Sequence, residues 1–353
     1  MTSNITNNKL FFIISFNKIF YLLFATLVFS KFSQLGDTED YISGHYLYRE
    51  DFTSPAFILS YLGSSLGELG SYIASMIISG ASIIYLIKKS NLSNKLNVLI
   101  LTTIFFPSFG IWTAILSKEV FVLLFMSLCV GFLIDVHSNR KNLPSIFVCV
   151  FFFILFSLKP HYSAAVIFTY FLLLLRNLGV RREFLLSITI LSFSIIVPMA
   201  IHFIDIIYEY TQVITNSYFV NGGSTRKNDY WIDLYDFFIY APIGVPKAFI
   251  GPTLGESINR LSFLPFFIEG VLIFIITLVG SFFSVYRSRS INVLSLCLFI
   301  TFTLFLMFTH YPVGIVNPGS SIRYRSGIIF PMLVFIFYLV EVNCGKKEKN
   351  NIY

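Results

Sequence analysis

Residues Gly36 to Asp51 read GDTEDYISGHYLYRED and set Asp37, Glu39, Asp40, His45, Arg49, Glu50 and Asp51 among three tyrosines, directly after an apolar run. Groups this polar cannot stay in hydrocarbon without a large free-energy cost, so the segment belongs at a membrane surface or in a wet cavity. The apolar run before it then reads as a membrane span that ends at that surface. It has no small-residue cleavage site after it and is expected to be retained, not removed as a signal peptide.

The chain around this island is as apolar as the island is polar. With 56% hydrophobic, 18% aromatic and only 12% charged residues, it cannot be an ordinary soluble domain. The fold class expected is all-α: a polytopic integral membrane protein forming a single transmembrane domain over residues 1–353. A net charge of +7 could suggest nucleic acid, but the basic residues fall in short clusters between apolar runs, where they orient membrane spans. Nucleic acid is therefore not expected as a partner; membrane lipids are. Cys129, Cys149 and Cys297 lie in apolar runs and Cys344 in a basic tail, a spacing that suits packing and matches no metal motif.

A span needs roughly 20 mainly apolar residues, and on that basis the chain divides into about ten transmembrane helices. These lie at 10–31, 71–87, 96–113, 120–136, 143–158, 162–176, 184–203, 263–284, 291–308 and 327–343. Basic clusters occupy alternate connections: Lys88, Lys89 and Lys95; Arg140 and Lys141; Arg176, Arg181 and Arg182; Arg287 and Arg289; Lys346, Lys347 and Lys349. By the positive-inside rule these face the cytoplasm, and so do both termini. The outer connections are then 32–70, 107–119, 159–161, 204–262 and 309–326. Within the first of them, residues 54–70 are apolar but rich in Gly and Ser and read as a helix lying along the interface. No pair of halves with interrupted helices is visible, which weakens a secondary-transporter reading.

The chemistry-bearing residues gather on the outer side. Asp37 and Asp40, with Glu39 between them, could supply a general base for an incoming hydroxyl or ligands for a divalent cation. A merely solvated acidic loop stays open as the alternative. In PSFGIWTAILSKEVF, Pro107 to Phe121, Ser117 suits the cap of a helix starting with Lys118 and Glu119. That helix start, with Lys118 beside it, would attract an anion, and Glu119 joins the catalytic carboxylates. Lys159 and His161 flank Pro160 at another outer helix start and extend the same reading. In HYPVGIVNPGSSIRYRSG from His310, Asn317, Pro318 and Gly319 signal a turn before Arg323 and Arg325, whose planar forks suit a diphosphate. Aromatic rings can cover the apolar face of a sugar; Tyr41, Tyr230 and Trp231 are the candidates for glycan contact, although interfacial aromatic belts have the same composition. No Gly-rich nucleotide motif and no other cofactor signature appears.

Four of these patches, GDTEDY, PSFGIWTAILSKE, KPH and NPGSSIRYR, resemble the O-antigen and capsule repeat-unit polymerases of bacteria. More broadly the chain is similar to polytopic glycosyltransferases that use polyprenyl-linked sugar donors. The resemblance implies an inner-membrane enzyme with a periplasmic site that joins oligosaccharide repeats carried on undecaprenyl diphosphate. It implies Asp37 as the acidic residue of the first outer loop, Arg323 and Arg325 as residues of the last, and a chain-length regulator and a flippase as partners. The chain lacks the widely spaced arginine-to-glycine motif of the longer polymerases. A single-sugar transferase using a polyprenyl monophosphate donor stays open, as does a lipid-linked glycan flippase. A flippase should carry ionisable residues along the middle of several spans, whereas Lys18 is the clear mid-span charge here.

The alternating basic clusters predict the topology. Reporters fused near residues 90, 139, 180, 288 and 347 are expected in the cytoplasm, and those near 45, 160, 225 and 318 in the periplasm. A reversal at any interior site would put half the proposed site on the wrong side of the membrane.

Overall fold

The computed structural model describes residues 7–48, 54–140, 143–220, 226, 229–287 and 290–350, and they are overwhelmingly helical. Among them the only strands are the two-residue pair Tyr286–Arg287 and Ser290–Ile291, joined antiparallel. Among the described residues six helices are long and apolar enough to cross a membrane: Asn8–Lys31, Pro55–Ser90, Lys118–His137, Leu261–Val285, Val293–Val316 and Pro318–Asn343. The chain is thus an all-α polytopic membrane protein. The expected span at 143–158 is a shorter apolar helix, Ile146–Leu158, and those at 162–176 and 184–203 are the helices Pro160–Asn177 and Arg182–His202. Two compact units make up the chain, one of Met1–Val166 with Ser326–Tyr353 and one of Ile167–Arg325.

The first unit begins with α1 (Asn7–Leu27), a short acidic helix α2 (Thr38–Ile42), α3 (Pro55–Ser90), α4 (Asn94–Thr103), α5 (Pro107–Trp112), α6 (Lys118–His137) and α7 (Ile146–Leu158). Helix α3 joins the expected interface helix to the second span. Pro55 occupies its first turn and Ser54 caps it, accepting from the Phe57 N–H at 3.2 Å. At Gly67 the backbone leaves the helix with φ 68° and ψ −179°, a conformation glycine adopts without a Cβ penalty, so the two halves meet at a kink close to the expected boundary. Beyond the kink α3 packs on both α1 and α6 and buries Ser71, Ser75, Ser79, Gly80 and Ser82, small residues that allow close helix approach.

The expected span at 96–113 is instead two short helices, α4 and α5, broken at Ile104–Phe106. Pro107 causes the break: it has no N–H to continue the ladder, and it holds the preceding Phe106 in an extended conformation, φ −68° and ψ 134°. Backbone groups freed inside a membrane need partners. Helix α1 supplies them, since Asn17 Nδ2 donates to the Ile104 carbonyl at 3.0 Å and the Tyr21 hydroxyl donates to the Phe105 carbonyl. Lys18 Nζ donates to Thr113 Oγ1, which donates in turn to the Phe109 carbonyl, and the ammonium lies 4.8 Å from the Phe109 ring centre. The mid-span lysine read from the sequence is thus buried, and it pairs with a side chain past the break, at the end of α5.

Helix α8 (Pro160–Asn177) leads into the second unit, with α9 (Arg182–His202), α10 (Ile204–Val220), α11 (Asp236–Ile239), α12 (Ala241–Ile250), α13 (Leu254–Asn259) and α14 (Leu264–Val285). Helix α15 (Val293–Leu298) runs through a π-helical turn, Phe299–Leu304, into α16 (Phe305–Val316), and α17 (Pro318–Asn350) follows. The last outer loop, expected at 309–326, is therefore almost entirely helix. Asn317 is not the start of a turn but a helix cap: its Oδ1 accepts from the Gly319 N–H at 2.8 Å, with Pro318 in the first helical position. A composition of Asn, Pro, Gly and Ser signals a loop and a helix start equally well, which is why the sequence read it as the former.

Candidate functional site

In the first unit the acidic stretch forms α2 and docks on the start of α6. Thr38 Oγ1 donates to the Leu116 carbonyl at 2.9 Å, two residues before Lys118. The buried Tyr41, Leu59 and Leu116 pack together beneath it. Helix α3 comes so close that a Cβ on Gly63 would lie 2.4 Å from the Tyr41 carbonyl oxygen. The acidic stretch and the PSFGIWTAILSKE corner, read separately from the sequence, thus share one end of this unit. Arg49, Glu50 and Asp51 lie outside the described residues.

Asp37 stands at the N-cap position of α2 but makes no capping bond. Its Oδ2 instead accepts from the Tyr41 hydroxyl at 3.0 Å, and Asp40 Oδ2 lies 3.5 Å from the Tyr46 hydroxyl. Asp37 and Asp40 are half-buried and Glu39 is exposed. Tyr41 was expected to meet a sugar, yet it is fully buried, and its ring faces Tyr46 at 5.6 Å. No ring face is left open for a glycan. Among the described residues no group of three or more His, Cys, Asp or Glu side chains is placed to hold a metal ion.

At the start of α6 the expected cap is absent, because the Ser117 hydroxyl turns back to the Trp112 carbonyl at 2.7 Å. Lys118 is half-buried there, whereas Glu119 is buried and acts electrostatically on Tyr162 of α8. Lys159 ends α7 and His161 stands in the first turn of α8. Burial, with the Lys159 charge beside it, pushes His161 down to about 4, so its imidazole is neutral near pH 7 and supplies no cation to a phosphate.

The second unit revises the arginine reading. Two residues apart on an α-helix is a rotation of about 200°, so Arg323 and Arg325 leave α17 on opposite sides. Arg323 is half-buried, its guanidinium 5.7 Å from the Tyr324 ring. Arg325 is fully buried. It donates to the Phe249 carbonyl at 2.8 Å, to the Ile250 carbonyl, to the Phe266 carbonyl at 3.3 Å and to Glu269 Oε1 at 3.1 Å. An arginine held by that set is not offered to a diphosphate.

A second arginine, in the expected outer connection 204–262, works in the same way. Arg226 donates from Nε and Nη2 to the two Glu256 oxygens at 2.7 and 2.8 Å. Its remaining N–H groups go to the carbonyls of Gly314 and Ile315, both at 2.9 Å, and of Gly251 at 2.6 Å. All five guanidinium donors are therefore used. With Ser321 donating to the Ala248 carbonyl, every carbonyl from Ala248 to Gly251 at the end of α12 has a side-chain donor. A helix C-terminus is the negative end of its dipole and carries unpaired carbonyls, so a buried cation there is favourable twice over. The signal that could have found Arg226 was the capping box Thr253–Glu256, whose carboxylate needed a partner.

Tyr230 and Trp231, also expected to meet a glycan, are buried in the core of this unit with Ala248, Tyr311 and Ile315. Trp231 Nε1 donates to the Tyr311 hydroxyl at 2.9 Å. The sequence reading took them for surface aromatics because they fall in a long polar segment. Comparison with protein-family models, with curated proteins and with solved structures finds no match for the chain.

Two outcomes follow from the arginine geometry. Arg325→Leu would leave Glu269 buried without its cation and is expected to lower stability in detergent by about 3–5 kcal/mol. Arg323→Leu, at a half-buried position, is expected to lose less; equal losses from both variants would refute the division of roles. Burial raises the Glu256 carboxyl, but the Arg226 hydrogen bonds and charge, with the Thr253 cap, outweigh it and hold the group below its ordinary 4.5. A lowered folded-state value contributes stability above pH 4.5 that is lost as pH falls below it. Glu256→Gln keeps the capping box and loses the charge, so its melting temperature is expected to be lower at pH 7 and to converge with the parent's in acid.

Proposed function

We propose that the chain is a membrane glycosyltransferase that joins undecaprenyl-diphosphate-linked oligosaccharide repeats into an O-antigen or capsule-type polysaccharide. In this reading ten spans cross the inner membrane, both termini lie in the cytoplasm, and the site faces the periplasm. The observation that carries it is the docking of α2 on the start of α6. This holds half-buried Asp37 and Asp40 on the same corner as the half-buried cation Lys118. Joining two lipid-linked glycans needs little more from a protein than orientation, a base for the attacking hydroxyl and charge to meet the departing diphosphate. Asp37 is the proposed base, with Asp40 and Glu119 beside it. Lys118 and Lys159 are the proposed phosphate cations, a role that the geometry removes from Arg325 and that His161 can serve only as a neutral donor.

A lipid-linked glycan flippase is the second reading, favoured by one observation. The chain has an interrupted helix, α4 and α5, packed beside a buried mid-span lysine, and transporters place such interrupted helices and ionisable groups near the bilayer midplane. Purified protein in detergent separates the two readings, because a flippase has no second leaflet there and cannot extend a chain. The parent is expected to lengthen undecaprenyl-diphosphate-linked repeats in micelles. Asp37→Asn, at normal abundance, is expected to slow extension by about 10²–10⁴-fold, the usual contribution of a general base. Parent-like extension by that variant would remove Asp37 from the chemistry, and no extension by the parent would favour the flippase.

A further inference from the structure

We infer that Tyr41 is a positioning residue: a core-anchored phenol that fixes the orientation of the Asp37 carboxylate, an inference that rests on the glycosyltransferase reading above. Tyr41 has no exposed surface, so it cannot meet substrate itself. Its ring is fixed by Leu59, Leu116 and Tyr46 and its backbone by Gly63, which admits α3 at a distance no side chain would allow. The hydroxyl therefore stands at one point. Asp37 lies four residues earlier, on the same face of α2, and its Oδ2 accepts from that point at 3.0 Å.

The second, independent observation is what Asp37 does not do. Aspartate is among the best N-cap residues because its carboxylate ordinarily accepts from a backbone N–H of the first turn. At the N-cap of α2 this bond is absent, and the carboxylate turns to the phenol instead. Helix capping thus does not set the orientation, and the core-fixed phenol is a donor that constrains it. A base held this way loses little freedom when a hydroxyl arrives. A donated hydrogen bond favours the ionised form of a carboxylate, and its deletion is the change a pH profile reads. Tyr46 repeats the arrangement more loosely at Asp40, at 3.5 Å.

The test is Tyr41→Phe, which keeps the ring in the core and deletes the donor. Turnover and KM are measured against pH in detergent, with undecaprenyl-diphosphate-linked repeat as substrate, beside Asp37→Asn and Thr38→Val. Thr38→Val removes the bond that docks α2 on Leu116 and so reports the effect of loosening the helix alone. Tyr41→Phe is expected to lower turnover by roughly 10–100-fold, the size of one hydrogen bond to a charged group, with KM unchanged and the acidic limb of the profile moved to higher pH. If Tyr41→Phe matches the parent while Asp37→Asn is inactive, the phenol does not position the base and the inference fails alone. An equal loss in Thr38→Val with neither acidic limb moved would also overturn it, assigning the effect to docking. If Asp37→Asn itself matches the parent, the base assignment falls first and the inference with it.

Discussion

A buried backbone group that has lost its helix partner has no water to turn to, and this constraint governs both units. It bears hardest where a helix stops. In the first unit the stop is Ile104–Phe106, and one polar side of α1 answers it with Asn17 and Tyr21. In the second it is the end of α12, where two arginines and a serine take up four successive carbonyls. Most of the buried polar chemistry in the membrane-spanning helices thus serves the backbone. Breaking such an arrangement leaves donors or acceptors in hydrocarbon, at a cost of a few kcal/mol each.

That division explains why charge alone misleads in this chain. Two arginines close together in sequence at a membrane surface suggest a phosphate site, and Arg325 carries the same charge as Arg323. Helix geometry separates them: one side of α17 presents Arg325 to Phe249, Ile250 and Glu269, and the other leaves Arg323 over Tyr324. Arg325 and Arg226 fit these places because a planar five-donor fork can serve carbonyls and a carboxylate together, which an ammonium cannot. The proposed chemistry is assigned instead to the carboxylates of α2 in the first unit.

The all-helical membrane class was legible from composition and from the apolar runs, and so was the break near residue 70 that appears at Gly67. The acidic stretch was singled out as a candidate site or a solvated loop, and the structure makes it a short helix, α2, pinned by Thr38 and Tyr41. The sequence could not reveal burial. Tyr230 and Trp231 look like interface aromatics until Tyr311 and Ile315 are seen to enclose them, and Tyr41 looks like a sugar platform until Leu59 and Leu116 cover it. Long-range pairing was equally invisible: Arg226 meets Gly314 and Ile315 across 88 and 89 residues, and no local pattern encodes that separation. Proline carried two meanings. At Pro107 it broke an expected span, and at Pro318 it opened a helix where a loop was expected.

Whether the arginines serve the backbone or a ligand can be read from their guanidinium protons. Hydrogen exchange followed by nitrogen-15 NMR, on detergent-solubilised protein labelled at arginine, measures whether those protons are sealed in hydrogen bonds or open to water. Arg226 and Arg325 are predicted to exchange slowly and to keep that protection when no lipid substrate is present. Fast exchange from Arg325 that slows only when a diphosphate-bearing lipid is added would contradict the assignment and return Arg325 to the substrate.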